Sequence, residues 1–410
     1  MVSFPKDKIS VVLLEGVHPS GVQAFQDDGY TSVAKFPATL EGRALVDAIR
    51  EAHIVGIRSR TKLTADVLVQ ARRLMAVGCF CIGTDQVDLD VAAERGIPVF
   101  NAPFSNTRSV AELVIAETIF LMRGIPRRNA ELHRGQWNKS AAGAHEARGK
   151  TLGIVGYGHI GTQVGVLAES LGMRVIFYDI VTKLALGNVA AVKTLEDLLG
   201  QADVVSLHVP DTAATRGMIG QREVGLMRPG AALINASRGL VVDVEALARA
   251  IESGQLSGAA LDVFPLEPGG KDEAFTSPLT KLDQVILTPH IGGSTEEAQE
   301  AIGREVADKL IHYSNLGSTL TAVNFPEVSL SDHPGVRRLI HIHQNRPGML
   351  SQINAVFSKH NVNVNSESLE TDRRIGYVVI DVEVPTDQKI RDVRQELEGI
   401  DGTIRTRVLY

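Results

Sequence analysis

The chain has 410 residues, 44% of them hydrophobic and 22% charged, with a formal net charge of −6. This length can hold about two to four domains, each with its own core, and the negative balance excludes nucleic acid as the main partner. No run approaches ~18 consecutive apolar residues, which excludes a membrane-spanning helix, and the charges of "FPKDK" stand where a signal peptide needs an apolar core.

Residues 8–103 alternate β-rich and helical stretches. "ISVVLLEGV", "HIVGIRS", "LMAVGCFC" and "IPVFNAP" read as strands, and "TLEGRALVDAIREA", "LTADVLVQARR" and "LDVAAERG" as helices. This rhythm implies a parallel sheet covered on both faces, flavodoxin-like in kind. The only two cysteines, Cys79 and Cys81, lie in one of these strands. Alternate strand residues point to opposite faces, so two buried thiols are expected there rather than a disulfide, redox motif or metal pair. The chain reads as cytoplasmic, with no metal site.

The run "NTRSVAELVIAETIFLMRG" (106–124) has helical spacing, with Asn106 as its N-cap and Gly124 at its end. Residues 125–149 are polar and hold the sole tryptophan, Trp137. From Lys150 a second βα series begins and continues to "QVILTPH". The helical pattern "STEEAQEAIGREVADKLIHYSN" follows, and "FPEVSLSDHPG" (325–335), without periodicity, reads as a linker. Residues 338–410 then read βαββαβ, a ferredoxin-like order. The expected division is 1–105 with 295–330 as a discontinuous substrate-binding domain, 106–294 as a Rossmann domain, and 338–410 as a third unit.

"KTLGIVGYGHIG" sets Gly156, Gly158 and Gly161 in G-x-G-x-x-G spacing directly after a strand, and the next strand, "RVIFYD", ends in Asp179. Such glycines permit a tight turn, close approach of the backbone to a pyrophosphate, and packing of helix on strand. Asp179 suits the adenosine ribose and repels a 2′-phosphate, so NAD is favoured over NADP. Three further strand ends carry Arg238 ("LINASRG"), Asp262 with Glu267 ("ALDVFPLEP") and His290 ("VILTPHIGG"). In open α/β sheets ligands bind outside the carboxyl ends of strands. His290 can take a hydroxyl proton as hydride leaves the same carbon. Glu267 can fix the imidazole's tautomer and raise its pKa, and Arg238 can grip a carboxylate bidentately.

"NAPFSNTRSVAE", "GIVGYGHIGTQ", "LINASRG", "ALDVFPLEP" and "TPHIGGST" together resemble the D-isomer-specific 2-hydroxyacid dehydrogenases, over nearly the whole chain. The resemblance is nearest to bacterial members that end in an ACT domain. It implies NAD-dependent oxidation of 3-phosphoglycerate to 3-phosphohydroxypyruvate, the first step towards serine, with 2-oxoglutarate reduction as a side activity. It carries Arg238, Glu267 and His290 into the catalytic roles just argued. It adds cofactor contacts at His159, Ile160, Ala236, Ser237, Asp262, Ile291, Gly292 and Gly293.

A phosphorylated acid has a second anion to bind. Arg58 and Arg60 in "IRSRT", at a spacing that puts both on one strand face with Ser59 opposite, supply that second site, and Asn106 can add a donor. Lys139 matches a position that in similar enzymes reaches a neighbouring subunit's cleft. The ACT resemblance implies a homotetramer with paired regulatory domains, in which His343, Asn345 and Asn363 bind L-serine as a feedback inhibitor. Pro334, ahead of Gly335, replaces the adjacent glycines of the best-known hinge, so altered cooperativity is expected. Two other readings compete: a dehydrogenase of an unphosphorylated acid, and a non-catalytic NAD-sensing corepressor.

Overall fold

The computed structural model describes residues 5–268, 273–331, 335–383 and 386–409. Pro334 lies outside them. The chain divides into two compact units, one made of Met1–Ser105 with Gln299–Tyr410, the other of Asn106–Ala298.

The first unit opens with β1 (Ser10–Leu13), α1 (Pro19–Asp27), β2 (Ser32–Lys35), α2 (Gly42–Ile49), β3 (Ile54–Ile57), α3 (Ala65–Gln70), β4 (Ala76–Cys79), α4 (Leu89–Glu94) and β5 (Val99–Asn101). The sheet is parallel in the order β2-β1-β3-β4-β5, the flavodoxin-like arrangement. Apart from the largely exposed edge strand β2, its strands read as apolar runs because both faces are buried. Val12, Val55, Ile57 and Val77 enter one cluster; Val11, Leu13, Ile54 and Ala76 enter another. Cys79 and Cys81 are both free thiols.

The second unit contains α5 (Thr107–Arg123), α6 (Ile125–His133), β6 (Thr151–Val155), α7 (His159–Ser170), β7 (Arg174–Tyr178), β8 (Ala190–Ala191), α8 (Leu195–Leu199), β9 (Val204–Leu207), α9 (Gln221–Leu226), β10 (Ala231–Asn235), α10 (Val244–Glu252), β11 (Leu256–Leu261) and β12 (Val285–Leu287). The 7-stranded parallel sheet runs β12-β11-β10-β9-β6-β7-β8. Strand order reverses between β6 and β9, the switch point at which Rossmann sheets take their dinucleotide. Helix α6 falls in the stretch expected to be merely polar. Asn106 precedes α5 as expected, but its side chain makes no capping bond, and Gly124 ends the helix at φ +60°. A positive φ there is the usual glycine stop.

Helix α11 (Glu296–Leu316) leads back into the first unit. There β13 (Arg337–Gln344), α12 (Met349–Lys359), β14 (Asn363–Thr371), β15 (Ile375–Glu383), α13 (Asp387–Glu398) and β16 (Thr403–Leu409) form an antiparallel sheet ordered β14-β15-β13-β16. One face packs under α12 and α13 through Ile353, Phe357, Ile390 and Leu397. Ile340, Ile342, Tyr377 and Leu409 of the other face join the same apolar cluster as Val11, Leu310 and Tyr313. The 325–335 stretch expected to be a linker is in part packed: Phe325 and Val328 are buried in that cluster. No helix among the described residues is long and apolar enough to cross a membrane.

Candidate functional site

The glycine turn joins β6 to α7. Gly156 has φ +92°, and a Cβ there would collide with the His208 carbonyl; a Cβ on Gly161 would collide with the Gly156 carbonyl. Both are therefore glycine for packing. Gly158 differs, since a Cβ there would meet nothing within 4 Å. That open cradle at the N-terminus of α7, where free N–H groups face outward, fits a pyrophosphate. His159 and Ile160 are the first residues of the helix. Asp179, just past β7, accepts from the amides of Tyr157 (2.8 Å) and Val181 (2.9 Å). Its carboxylate is thereby fixed at the strand end while lone pairs remain for a ribose. The donor set fits NAD.

Arg238, Glu267 and His290 come together in this unit. His290 Nδ1 lies 2.8 Å from Glu267 Oε2, and the other carboxylate oxygen accepts from the Phe264 amide at 3.1 Å. The hydrogen bond to Glu267 raises the His290 pKa above its ordinary 6.5, against burial and the Arg238 charge, which lower it. For Glu267, burial is the largest single influence and pushes upward. The hydrogen bond and charge of His290, the Phe264 N–H and Arg238 together outweigh it, so the pKa falls below its ordinary value. At neutral pH the imidazole thus faces a carboxylate on one nitrogen and leaves Nε2 for a reacting proton.

Two buried polar groups hold the strand ends in place. Asp262 accepts from Thr288 Oγ1 (2.6 Å) and from the amides of Ile291 (2.8 Å) and Gly292 (2.7 Å). It therefore braces the turn that carries His290. Asn235, the last residue of β10, donates to the Arg238 carbonyl at 2.9 Å and accepts from the Ser237 amide and hydroxyl. Gly239 lies against the Phe264 backbone, where any side chain would overlap it. That close approach couples the Ala236–Arg238 loop to the loop of Glu267. Gly293 likewise leaves room for the buried Asn106 amide. Asn235 was missed by sequence reasoning, although an asparagine closing an apolar strand is itself a signal.

The remaining expected residues lie elsewhere. Lys139 is exposed in the second unit, near Trp137 at 81% exposure. In the first unit β3 stops at Ile57, so Arg58, Ser59 and Arg60 sit past the strand and two-residue alternation does not govern them. Neither guanidinium has a hydrogen-bond or ion-pair partner among the described residues. In the antiparallel sheet, His343 pairs opposite Gly376 and Asn363 opposite Glu383. Seven residues of β15 separate those points, roughly 24 Å. One copy therefore keeps Asn363 far from His343 and Asn345. His343 is buried, with Nδ1 2.8 Å from the Gln344 carbonyl, and Asn345 donates to the Asp372 carbonyl.

Residues 115–292 match the NAD-binding domain of D-isomer specific 2-hydroxyacid dehydrogenases, and residues 339–405 match an AHAS small subunit-like ACT domain. The chain is 59% identical over 409 residues to D-3-phosphoglycerate dehydrogenase of Escherichia coli K12, covering 100% of this chain and 99% of that protein. It is 57% identical to the Haemophilus influenzae protein of the same name and 47% identical to that of Dictyostelium discoideum, each with 100% and 99% coverage. Among solved structures it is similar to D-lactate dehydrogenase of Aquifex aeolicus complexed with NAD and lactic acid. That match has a TM-score of 0.66 and 30% identity, covering 74% of this chain and 95% of the other. D-2-hydroxyisocaproate dehydrogenase gives 0.69 at 26% identity, covering 77% and 100%. With its NAD-binding Rossmann unit and its ACT-like sheet, the chain belongs to the D-isomer specific 2-hydroxyacid dehydrogenase family.

Proposed function

We propose that the protein is a cytosolic dehydrogenase that oxidises 3-phosphoglycerate at the hydroxyl next to its carboxylate. The observation that carries the reading is the His290–Glu267 pair beside Arg238 at the strand ends of an NAD-binding unit. Relatives 47–59% identical over the full length bear the name of this activity. When bound, NAD supplies the hydride acceptor. Gly156 to Gly161, Asp179, Asp262 and Ile291 to Gly293 would hold it. Arg238 grips the substrate carboxylate and stabilises charge on the 2-oxygen. His290 Nε2 takes the hydroxyl proton, and the resulting imidazolium is stabilised by Glu267. Arg58, Ser59 and Arg60 take the phosphate. Run in reverse on a dicarboxylate, the same machinery reduces 2-oxoglutarate to 2-hydroxyglutarate.

The C-terminal unit is read as a serine sensor. Strand β14 is an open edge, and its residues are largely exposed. Antiparallel pairing of two copies about Glu367 would carry Asn363 of one copy to the sheet end where the partner's chain presents its own β13 terminus. A serine site completed across such a pair, within a homotetramer, would account for the separation of Asn363 from His343 and Asn345.

NADH formation with 3-phosphoglycerate and with D-lactate, each with and without millimolar L-serine, tests both readings. Turnover of the phosphorylated acid should dominate and fall with serine. Equal use of D-lactate would point instead to an unphosphorylated substrate. Activity indifferent to serine would remove the regulatory reading.

A further inference from the structure

We propose that Glu15 is a positioning residue for the substrate's phosphate. It would hold the Arg58–Arg60 loop by its backbone so that both guanidiniums stay free; this rests on the reading of those arginines given above. Glu15 follows β1 with φ +61°, and Gly16 follows with the same φ. Left-handed backbone is uncommon for a glutamate. Here the turn is pinned by bonds from the Glu15 amide to the Ala38 carbonyl and from the Gly16 amide to the Phe36 carbonyl. It aims the carboxylate across the sheet end at the loop after β3.

Three of the four amides there donate to that one side chain. Arg58 N reaches Oε1 at 3.2 Å, Thr61 N reaches Oε1 at 2.6 Å, and Arg60 N reaches Oε2 at 3.0 Å. On the other side, Gln86 Nε2 donates to the Arg58 carbonyl at 2.7 Å. A run of convergent amides is the backbone form of an anion site. In this chain its own carboxylate fills it. The negative charge is thus spent on N–H dipoles and pairs with neither arginine. Among the described residues, only the Ser59 amide of the four has no acceptor. A phosphate arriving at this loop meets two uncommitted guanidiniums, which offer five N–H donors each, together with the Ser59 amide and hydroxyl. Nothing local in the sequence signals this contact, because the carboxylate and its amides are more than 40 residues apart.

Glu15→Gln keeps the shape but presents an amide where three N–H groups converge, and the loop should lose its fixed form. The expected result is a rise of roughly tenfold or more in KM for 3-phosphoglycerate with kcat changed by less than about threefold. NADH affinity, read by fluorescence titration, should be unchanged, and unphosphorylated hydroxypyruvate should show little change in KM. Glu15→Asp, which keeps the charge, should recover part of the loss. If Glu15→Gln lowers the melting temperature too far to assay, Glu15→Asp and its double mutant with Arg60→Ala replace it. Effects well short of additive indicate that the two residues act through one loop.

An unchanged KM in the folded variant overturns the proposal, as does an equal rise for the unphosphorylated acid. Arg60→Ala, assayed alongside, separates the two levels. If it too leaves KM unchanged, the phosphate reading of the arginines fails and takes this proposal with it. If it raises KM while Glu15→Gln does not, only the role of Glu15 is lost.

Discussion

His290 sits at φ +55°, a conformation that non-glycine residues adopt rarely, and its amide bonds back to the Thr288 carbonyl. The strain is held by Asp262, whose two oxygens take the amides of the next two residues. Such over-determination aims the ring at Glu267, and the pair then sets how activity depends on pH. Oxidation needs neutral His290 to receive a proton. Because Glu267 raises its pKa, the oxidation rate should fall as pH drops through a value above 6.5. Reduction needs the imidazolium and should fall as pH rises through that same value. Glu267→Gln removes the carboxylate, so both limbs should move to lower pH; pH profiles of kcat/KM in the two directions read the shift. Unmoved limbs would mean that another group titrates. The same pair contributes to folding stability between the depressed value of Glu267 and the raised value of His290, losing the first partner in acid and the second in base. His290→Ala should cost roughly 10²- to 10⁴-fold in turnover while NADH binding is retained.

At the scale of elements, α5 carries an unexpected acid. Glu117 is 2% exposed, neither of its oxygens has a hydrogen-bond partner among the described residues, and burial followed by the Asp262 charge pushes its pKa up to about 8. It is therefore protonated at neutral pH. Unfolded, it ionises near 4.5. The folded chain then keeps a proton that the unfolded chain has released, so stability falls as pH rises across that interval and levels off above it. Glu117→Gln mimics the protonated acid and should abolish this slope. Its thermal midpoint should match wild type near pH 5 and exceed it near pH 8.5, where ~1 kcal/mol moves a unit of this size by roughly 2–4 °C. Equal midpoints at both pH values would show that Glu117 is ionised in the fold. In the sequence this glutamate sits between Val114 and Leu121, on the apolar stripe of the helix, which was the available sign. The strand-helix rhythm was legible because the inner parallel strands are apolar on both faces. Helix α6 was not, because its residues include no buried position from which periodicity could arise. Loop chemistry such as the Glu15 contacts was illegible for a different reason: it joins residues that only the sheet brings together.

Across the whole chain, the C-terminal sheet belongs to the same compact unit as the N-terminal one. Polar anchors accompany the shared apolar cluster. Arg338 is 3% exposed, binds Asp381 bidentately at 2.7 and 2.8 Å, and donates to the carbonyls of Leu316 and Ser331. Tyr377 donates to the Gly317 carbonyl at 2.6 Å, and Arg405 to the Leu74 carbonyl at 2.7 Å. These donors onto backbone carbonyls make the joint specific, and the buried aromatic and aliphatic side chains make it stable. A sheet anchored in this way shares one compact unit with the loop that carries Arg58 and Arg60. The expected unfolding behaviour follows. Calorimetry should resolve two transitions, of which NADH raises the one belonging to the Rossmann unit. Arg338→Met takes the guanidinium away from the partly buried Asp381, which keeps the Ser366 hydroxyl as a donor, and should lower the other transition. Replacing both residues, Arg338→Met with Asp381→Leu, should restore much of that loss, since an apolar pair leaves no uncompensated charge. A third, earlier transition assignable to residues 337–409 alone would show that the ACT-like sheet melts independently of the N-terminal sheet.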